Sequence, residues 1–126
     1  MEAYDPLKPP DPKAWLELDE SERIELVADY HRKARIRLPN LQVHATFHVI
    51  VENQVALGEE IPVRRNLERL IKEGVDRHEA LHAVASLLTD LVFAVSKGKP
   101  MKGDPTAAYY AKLEKLTIAK WRRDHG

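Results

Sequence analysis

The segment between Leu41 and Leu57 constrains the fold of this 126-residue chain more than any other. It contains no lysine or arginine, and Glu52 is its only carboxylate. When its residues are placed on a helix, apolar side chains point in every direction, which is the pattern of a helix buried on most sides. The segment therefore predicts a helix that lies inside the fold rather than on its surface.

Residues that begin and end helices recur along the rest of the chain. Asp19 with Glu22 and Asp76 with Glu79 form capping-box patterns, in which each side chain caps the backbone amide of the other residue. Asparagine, glycine or proline stands at most of the other boundaries. The pattern predicts a short turn at Asp11-Pro12 that contains Trp15, and then five helices over residues 19–36, 40–58, 62–74, 76–97 and from 104 into the basic C-terminal segment.

The sequence favours an all-α protein with one domain. No stretch alternates apolar and polar residues between turn signals, and the β-branched run from His48 to Val51 lies inside a longer helical pattern. Four prolines within residues 1–12 predict an extended strap. A chain of 126 residues, 44% of them apolar, can bury one core. We expect a compact, mostly up-and-down bundle of about five helices over residues 13–126.

Charge and composition narrow the function. Lys+Arg and Asp+Glu both number 20, and a net charge of zero argues against a nucleic-acid-binding module. The chain has no cysteine, so any metal must be held by histidine or by a carboxylate. No basic leader followed by an apolar run opens the sequence, and the apolar stretch from Leu81 to Val95 is interrupted and short for a bilayer. These features favour a cytoplasmic protein without a nucleic-acid or membrane partner.

Four histidines form two one-turn pairs. His44 and His48 recur at an interval of four, with Glu52 one turn further, so the three side chains stack along one side of their helix. His78 and His82 repeat the interval in the sequence HEALH, which has the HExxH pattern. Buried imidazoles and carboxylates need a partner, and the helix of His44 carries no cation of its own. The partner must come from another part of the chain or from a bound ion.

The predicted topology brings the two histidine pairs together. In an up-and-down bundle alternate helices run parallel, and each pair lies near the start of its helix. The pairs should then face each other at the same height, with helix axes ~8–10 Å apart. We predict a divalent transition metal ion, zinc or iron before others, with Glu52 as a further ligand or as an acceptor that fixes an imidazole tautomer. The predicted ligands are His44, His48, His78, His82 and Glu52.

Other interpretations of the histidines stay open. Glu79 could act as the general base of a zinc peptidase, but it is also the third residue after Asp76, where a capping glutamate belongs. Such peptidases usually hold their substrate against a strand, and the sequence predicts none. A dinuclear carboxylate centre would need more carboxylates than one chain supplies, so it would require a homodimer. The main alternative is a helical interaction module without metal, in which the histidines form a buried network.

The remaining histidines and arginines give weaker signals. His31 and His125 have no partner at helical spacing, and we expect both to be ordinary surface residues. Arg77 and the Arg64-Arg65 pair could support the site or bind an anion.

The segment PNLQVHATFHVIVENQ, followed by DRHEALHAV, resembles an uncharacterised family of small bacterial proteins. That family pairs H-x3-H-x5-Q with a later HEA-x-H, and the resemblance covers residues 39–95. It implies no activity. The positions that match the pattern are Pro39, Asn40, His44, His48, Gln54, His78, Glu79 and His82.

Overall fold

The computed structural model describes residues 1–36, 40–98 and 103–125, and within these ranges every regular element is a helix. The all-α prediction is confirmed. The boundary prolines Pro39 and Pro100, and the side chain of His125, lie outside the described part. The helices are α1 (Pro12–Glu17), α2 (Glu20–Lys33), α3 (Leu41–Ala56), α4 (Val63–Lys72), α5 (Arg77–Ser96), α6 (Pro105–Lys115) and α7 (Ile118–His125), with a short 3-10 helix (Gly58–Glu60) between α3 and α4.

The helices that carry the histidine pairs begin at the predicted caps. The side chain of Asn40 accepts a hydrogen bond from the amide of Val43 at 3.1 Å, and that of Asp76 accepts one from the amide of Glu79 at 2.8 Å. These bonds satisfy amides that the first turn of a helix leaves unpaired. Asp19 precedes α2 but makes no side-chain capping bond, so the capping box predicted there is wrong.

Two predicted boundaries shift, the first through a local turn and the second through a contact with a distant residue. α2 ends at Lys33 rather than near Ile36, and Arg35 takes a left-handed φ of 58°. The predicted fifth helix divides into α6 and α7 at Leu116, whose backbone is extended. The amide of Ile118 then donates to Oε1 of Glu73 at 2.9 Å. Glu73, the residue that follows the last turn of α4, thus caps the start of α7. Local sequence signals cannot reveal a cap that comes from a distant segment.

α3 lies between two halves of the core, as its apolar pattern predicts. Val51 and Val55 pack in one cluster with residues of α4, α5, α6 and α7. Ala45 and Val49 pack in a second cluster with Tyr4, Trp15 and residues of α2. Most faces of α3 are therefore covered, which explains why the helix has no lysine or arginine.

The proline-rich segment is part of this second cluster. Tyr4 is 4% exposed, and its ring lies 5.7 Å from that of Trp15 between centroids. The Trp15 indole N–H donates to Oδ1 of Asn53 on α3 at 2.8 Å. The carbonyl of Pro6 accepts a hydrogen bond from Arg77 on α5 at 3.0 Å. The strap thus joins α1, α3 and α5, and it brings a tyrosine into the interior.

α3 and α5 run in opposite directions where they pack, so the prediction of parallel helices is wrong. Glu52, near the end of α3, forms an ion pair with Arg77, the first residue of α5. His44, near the start of α3, instead lies beside His82, a turn further into α5.

The helix that connects α3 and α5 is shorter than α3. α4 has 10 residues and α3 has 16, which correspond to lengths of about 15 and 24 Å. α5 begins beside the end of α3, where Arg77 pairs with Glu52. The antiparallel arrangement still brings the two histidine pairs together: His44 lies beside His82, and His48 lies beside His78.

α5 is long and apolar enough to cross a membrane by length and composition, with a mean hydropathy of 1.4 in its most apolar window. The sequence-based expectation that the apolar stretch of α5 is too short to span a bilayer is therefore wrong as regards length. Core helices pass the same test, and α5 contributes Leu81 and Val84 to the larger core cluster. Its last turns differ, because Phe93 and Val95 are more than half exposed.

Candidate metal centre

Five imidazole rings meet where α2, α3 and α5 come together. His31 comes from α2, His44 and His48 from α3, and His78 and His82 from α5. The centroids of the His78 and His82 rings are 4.3 Å apart, and His44 lies 4.8 Å from both His31 and His82. His48 lies 5.3 Å from His78. The two predicted pairs do converge, and a fifth histidine joins them.

His31 is fully buried, so the expectation of a surface residue is wrong. It lies one turn after Val27 on the buried side of α2, next to Ala28. Its lack of a histidine partner within α2 concealed it, because its partners lie on other helices. The signal in the sequence was its position on an apolar face, four residues after a buried valine.

The hydrogen bond of His31 fixes its tautomer. Nδ1 of His31 lies 2.8 Å from the carbonyl oxygen of Val27. A carbonyl can only accept, so Nδ1 carries the ring hydrogen. Nε2 of His31 then has a lone pair, and this atom has no hydrogen-bond partner among the described residues. Nε2 of His31 can therefore coordinate a cation.

A chain of buried polar groups fixes the tautomer of His48 in the same way. Arg77 donates to both oxygens of Glu52 at 2.7 Å, and the Tyr4 hydroxyl donates to Oε2 of Glu52. Burial first, and then the charge of Glu52, raise the pKa of Tyr4 well above its ordinary value, so the hydroxyl keeps its proton. Its hydrogen is used on Glu52, so the Tyr4 oxygen accepts from Nε2 of His48, 2.7 Å away. The lone pair of His48 is then on Nδ1.

The cluster leaves five imidazole nitrogens buried without a hydrogen-bond partner in the described part of the chain. A buried polar atom without a partner costs about 1–3 kcal/mol, so a folded protein rarely accumulates several in one place. A bound cation would satisfy several of these lone pairs at once. The five atoms are Nε2 of His31, Nε2 of His44, Nδ1 of His48, Nε2 of His78 and Nε2 of His82.

Four of these residues have the spacing of a metal-binding group. One ligand nitrogen from each of His31, His48, His78 and His82 lies within 4.8 Å of the other three. Ligand nitrogens around a tetrahedral zinc ion are about 3.4 Å apart, as the Zn–N length of about 2.0–2.1 Å requires. The separations would have to shorten by up to about 1.4 Å to reach that geometry, which is within reach of side-chain rotation. His44 lies beside this group.

Glu52 occupies the position that its spacing predicts, but its partners are not imidazoles. Both of its oxygens accept hydrogen bonds from Arg77, and Tyr4 adds a third. The cation that α3 lacks is thus supplied by the first residue of α5. The acceptor for the His48 N–H is the Tyr4 oxygen, and Glu52 acts on the His48 tautomer only through the Tyr4 hydroxyl.

The carboxylate of Glu79 pairs with an arginine rather than facing the histidine cluster as a catalytic base would. Its amide is capped by Asp76, and its carboxylate accepts hydrogen bonds from Arg122 of α7 at 3.0 Å. The side chain is 32% exposed. A carboxylate held in a surface ion pair gives no support to the peptidase interpretation.

Four of the clustered histidines, His44, His48, His78 and His82, are held in the neutral form that metal ligands need. Burial, and then the neighbouring imidazoles, lower the pKa of His44 and of His82 to about 4. Burial and His31 lower the pKa of His78 to about 4, although Asp76 opposes the shift. Burial lowers the pKa of His48 well below 6.5. At neutral pH each of these rings therefore has a free lone pair.

These shifts predict that the metal-free protein loses stability in mild acid. Below pH 6.5 the unfolded chain binds protons on His44, His78 and His82, whereas the folded chain does not bind them there until the pH approaches 4. Stability therefore falls as the pH falls through this window. Between pH 7.5 and pH 5 the loss should be on the order of 2 kcal/mol or more.

Urea denaturation with a chelator present, at the two pH values, measures this loss. The double substitution His44→Gln and His82→Gln removes two of the titrating groups and should flatten the pH dependence. Equal stability of the unmodified chain at pH 7.5 and pH 5 would contradict the buried, neutral cluster.

Comparisons of the whole chain with known proteins give no match to a family model, to a curated protein or to a solved structure.

Proposed function

We propose that this chain is a metalloprotein that holds one divalent transition metal ion, zinc or iron, through His31, His48, His78 and His82. The observation that carries the proposal is the convergence of these four rings, since one ligand nitrogen of each lies within 4.8 Å of the other three. Each ring also has a buried nitrogen without a hydrogen-bond partner among the described residues. The opposite nitrogens of His31 and His48 are fixed by Val27 and Tyr4. A hydrogen bond to the non-coordinating ring nitrogen, which sets the tautomer of the ligand, is typical of metal sites.

The surroundings of the cluster favour a site that a ligand can reach. A cavity between α3 and α5 is lined by His44, His48 and His82. A divalent ion there would act as a Lewis acid toward a molecule in that cavity. A structural site is normally closed, whereas a catalytic or carrier site keeps an open position. The cavity therefore favours a small metalloenzyme or a metal-dependent binding protein over a purely structural ion.

The alternative is a metal-free helical module with a buried histidine network. The edge-to-face packing of the rings and their lowered pKa values are compatible with such a network. The unpartnered nitrogens argue against it, because a stable network would pair them with each other.

Elemental analysis of protein purified without a histidine tag separates the two. The metalloprotein should contain about one zinc or iron atom per chain, and His78→Ala or His82→Ala should remove most of it. Gln42→Ala, at an exposed position on α3, serves as the control and should retain the metal. Metal well below one atom per chain, unchanged in the histidine variants, would leave the metal-free network as the better account.

The Tyr4→Phe substitution should weaken metal binding although Tyr4 is not a ligand. It removes the oxygen that accepts from Nε2 of His48, so the ring can rotate and change its tautomer. Loss of such a supporting group typically lowers metal affinity about 10–100-fold. Competition with a chromophoric chelator measures the change, with Tyr110→Phe on α6 as the matched control. Equal zinc affinity of Tyr4→Phe and the unmodified protein would show that the hydroxyl does not support the site.

A further inference from the structure

The cavity beside the histidine cluster has the size of a small-molecule site. Its volume is about 530 Å³, and such sites measure ~300–1,000 Å³. The first half of α3 and the length of α5 form its walls. His44, His48 and His82 line it together with the apolar side chains of Phe47, Leu81 and Phe93.

The walls away from the histidines are mainly apolar, and their polar residues are Asn40, Ser86, Thr89 and Ser96. None of the residues that line the cavity in the described part of the chain is an aspartate, glutamate, lysine or arginine. The hydroxyls of Ser86 and Thr89 donate to the carbonyls of Ala83 and Ala85 within α5, at 2.7 and 2.9 Å. Their hydrogens are therefore not offered to the cavity. Such a surface favours the hydrocarbon part of a ligand.

The end of the cavity at the histidines favours a charged group rather than a hydrocarbon. Four neutral imidazoles would leave the double positive charge of a divalent ion uncompensated. Glu52 does not balance it, because Arg77 already neutralises that carboxylate. A buried site with net positive charge favours an anion. Nε2 of His44, which lies beside the metal group and has no partner, can donate to a second oxygen when it carries the ring hydrogen.

We propose that the cavity between α3 and α5 binds a monocarboxylate with an apolar body, whose carboxylate reaches the metal ion and His44. This inference rests on the proposed metal site and names the class of ligand that the site takes. The hydrocarbon part lies along Phe47, Leu81 and Phe93. The opposed requirements of the two ends select a small amphipathic acid rather than a uniformly apolar or a polar molecule.

Isothermal titration of the zinc-loaded protein with butanoate, hexanoate and octanoate tests the inference. Affinity should rise about fourfold for each added methylene that is buried, which is the fold-change for ≈0.8 kcal/mol. Hexan-1-ol, which has the same body without the charge, should bind more weakly than hexanoate.

Two variants test the location of the bound acid. Ala85→Phe fills the cavity, and Val43→Trp narrows it from a residue that is 48% exposed and tolerates a larger side chain. Either variant should abolish the dependence on chain length while it keeps its zinc, which is measured in the same samples. Ala111→Phe, at an exposed position on α6, is the control and should behave as the unmodified protein.

The outcomes separate this inference from the metal site. Zinc bound at one atom per chain, with no dependence on chain length or with hexan-1-ol as tight as hexanoate, would overturn the inference and leave the metal site standing. A dimer that covers the cavity, detected by sedimentation and dissociated by Phe93→Glu, would overturn it as well. Absence of zinc binding would overturn the metal proposal, and this inference with it.

Discussion

Replacing Arg77 with methionine is expected to lower the free energy of unfolding by about 3–5 kcal/mol. Arg77 is 7% exposed and Glu52 is 1% exposed, and the two form two hydrogen bonds of 2.7 Å. Removal of the guanidinium leaves a buried carboxylate without its cation, and it also releases the carbonyl of Pro6. The strap, α3 and α5 lose their common contact. Urea denaturation at neutral pH measures the loss.

Two further variants identify the cause of that loss. Arg32→Met removes an exposed ion pair with Glu25, whose side chains are 50% and 66% exposed, and should cost less than about 1 kcal/mol. The double variant Arg77→Met and Glu52→Gln should be more stable than Arg77→Met alone, because no unpaired charge stays buried. If Arg77→Met costs no more than Arg32→Met, the buried pair does not anchor the fold.

Zinc should raise the free energy of unfolding by an amount similar to the loss expected for Arg77→Met. An ion that binds only the folded state adds about 4 kcal/mol when its free concentration is a thousand times the Kd. The expected result is a zinc-dependent rise in the urea midpoint at neutral pH, reversed by a chelator. His48→Ala and His78→Ala should each remove most of this rise, whereas Gln42→Ala should retain it. The difference with and without zinc is compared within each variant, so any direct effect of the substitution cancels.

An equal rise in all four proteins would mean that zinc binds elsewhere or without specificity. No rise in any of them, at zinc concentrations that leave the protein soluble, would contradict the proposed site.

The helices and the two histidine pairs could be predicted because their signals are local. Asn40 and Asp76 cap the helices that the sequence assigns to them. The interval of four residues that places His78 beside His82 is a property of any helix. The apolar composition of α3 likewise follows from its place between two core clusters.

The rest of the site depends on contacts between distant segments. His31 reaches the cluster only because α2 packs on α3, and Tyr4 reaches His48 from a strap 44 residues away. The direction of α5 depends on tertiary contacts, which place Arg77 beside Glu52 and His82 beside His44. The need of Glu52 for a cation could be read from its helix, but the identity of that cation, Arg77, could not.

The most direct test of the metal site is an anomalous-scattering map from crystals of zinc-loaded protein, recorded at the zinc absorption edge. The site predicts one strong peak per chain, about 2.0–2.1 Å from Nε2 of His31, Nδ1 of His48, Nε2 of His78 and Nε2 of His82. A map with no peak among these rings, or with a peak held by other residues, would contradict it.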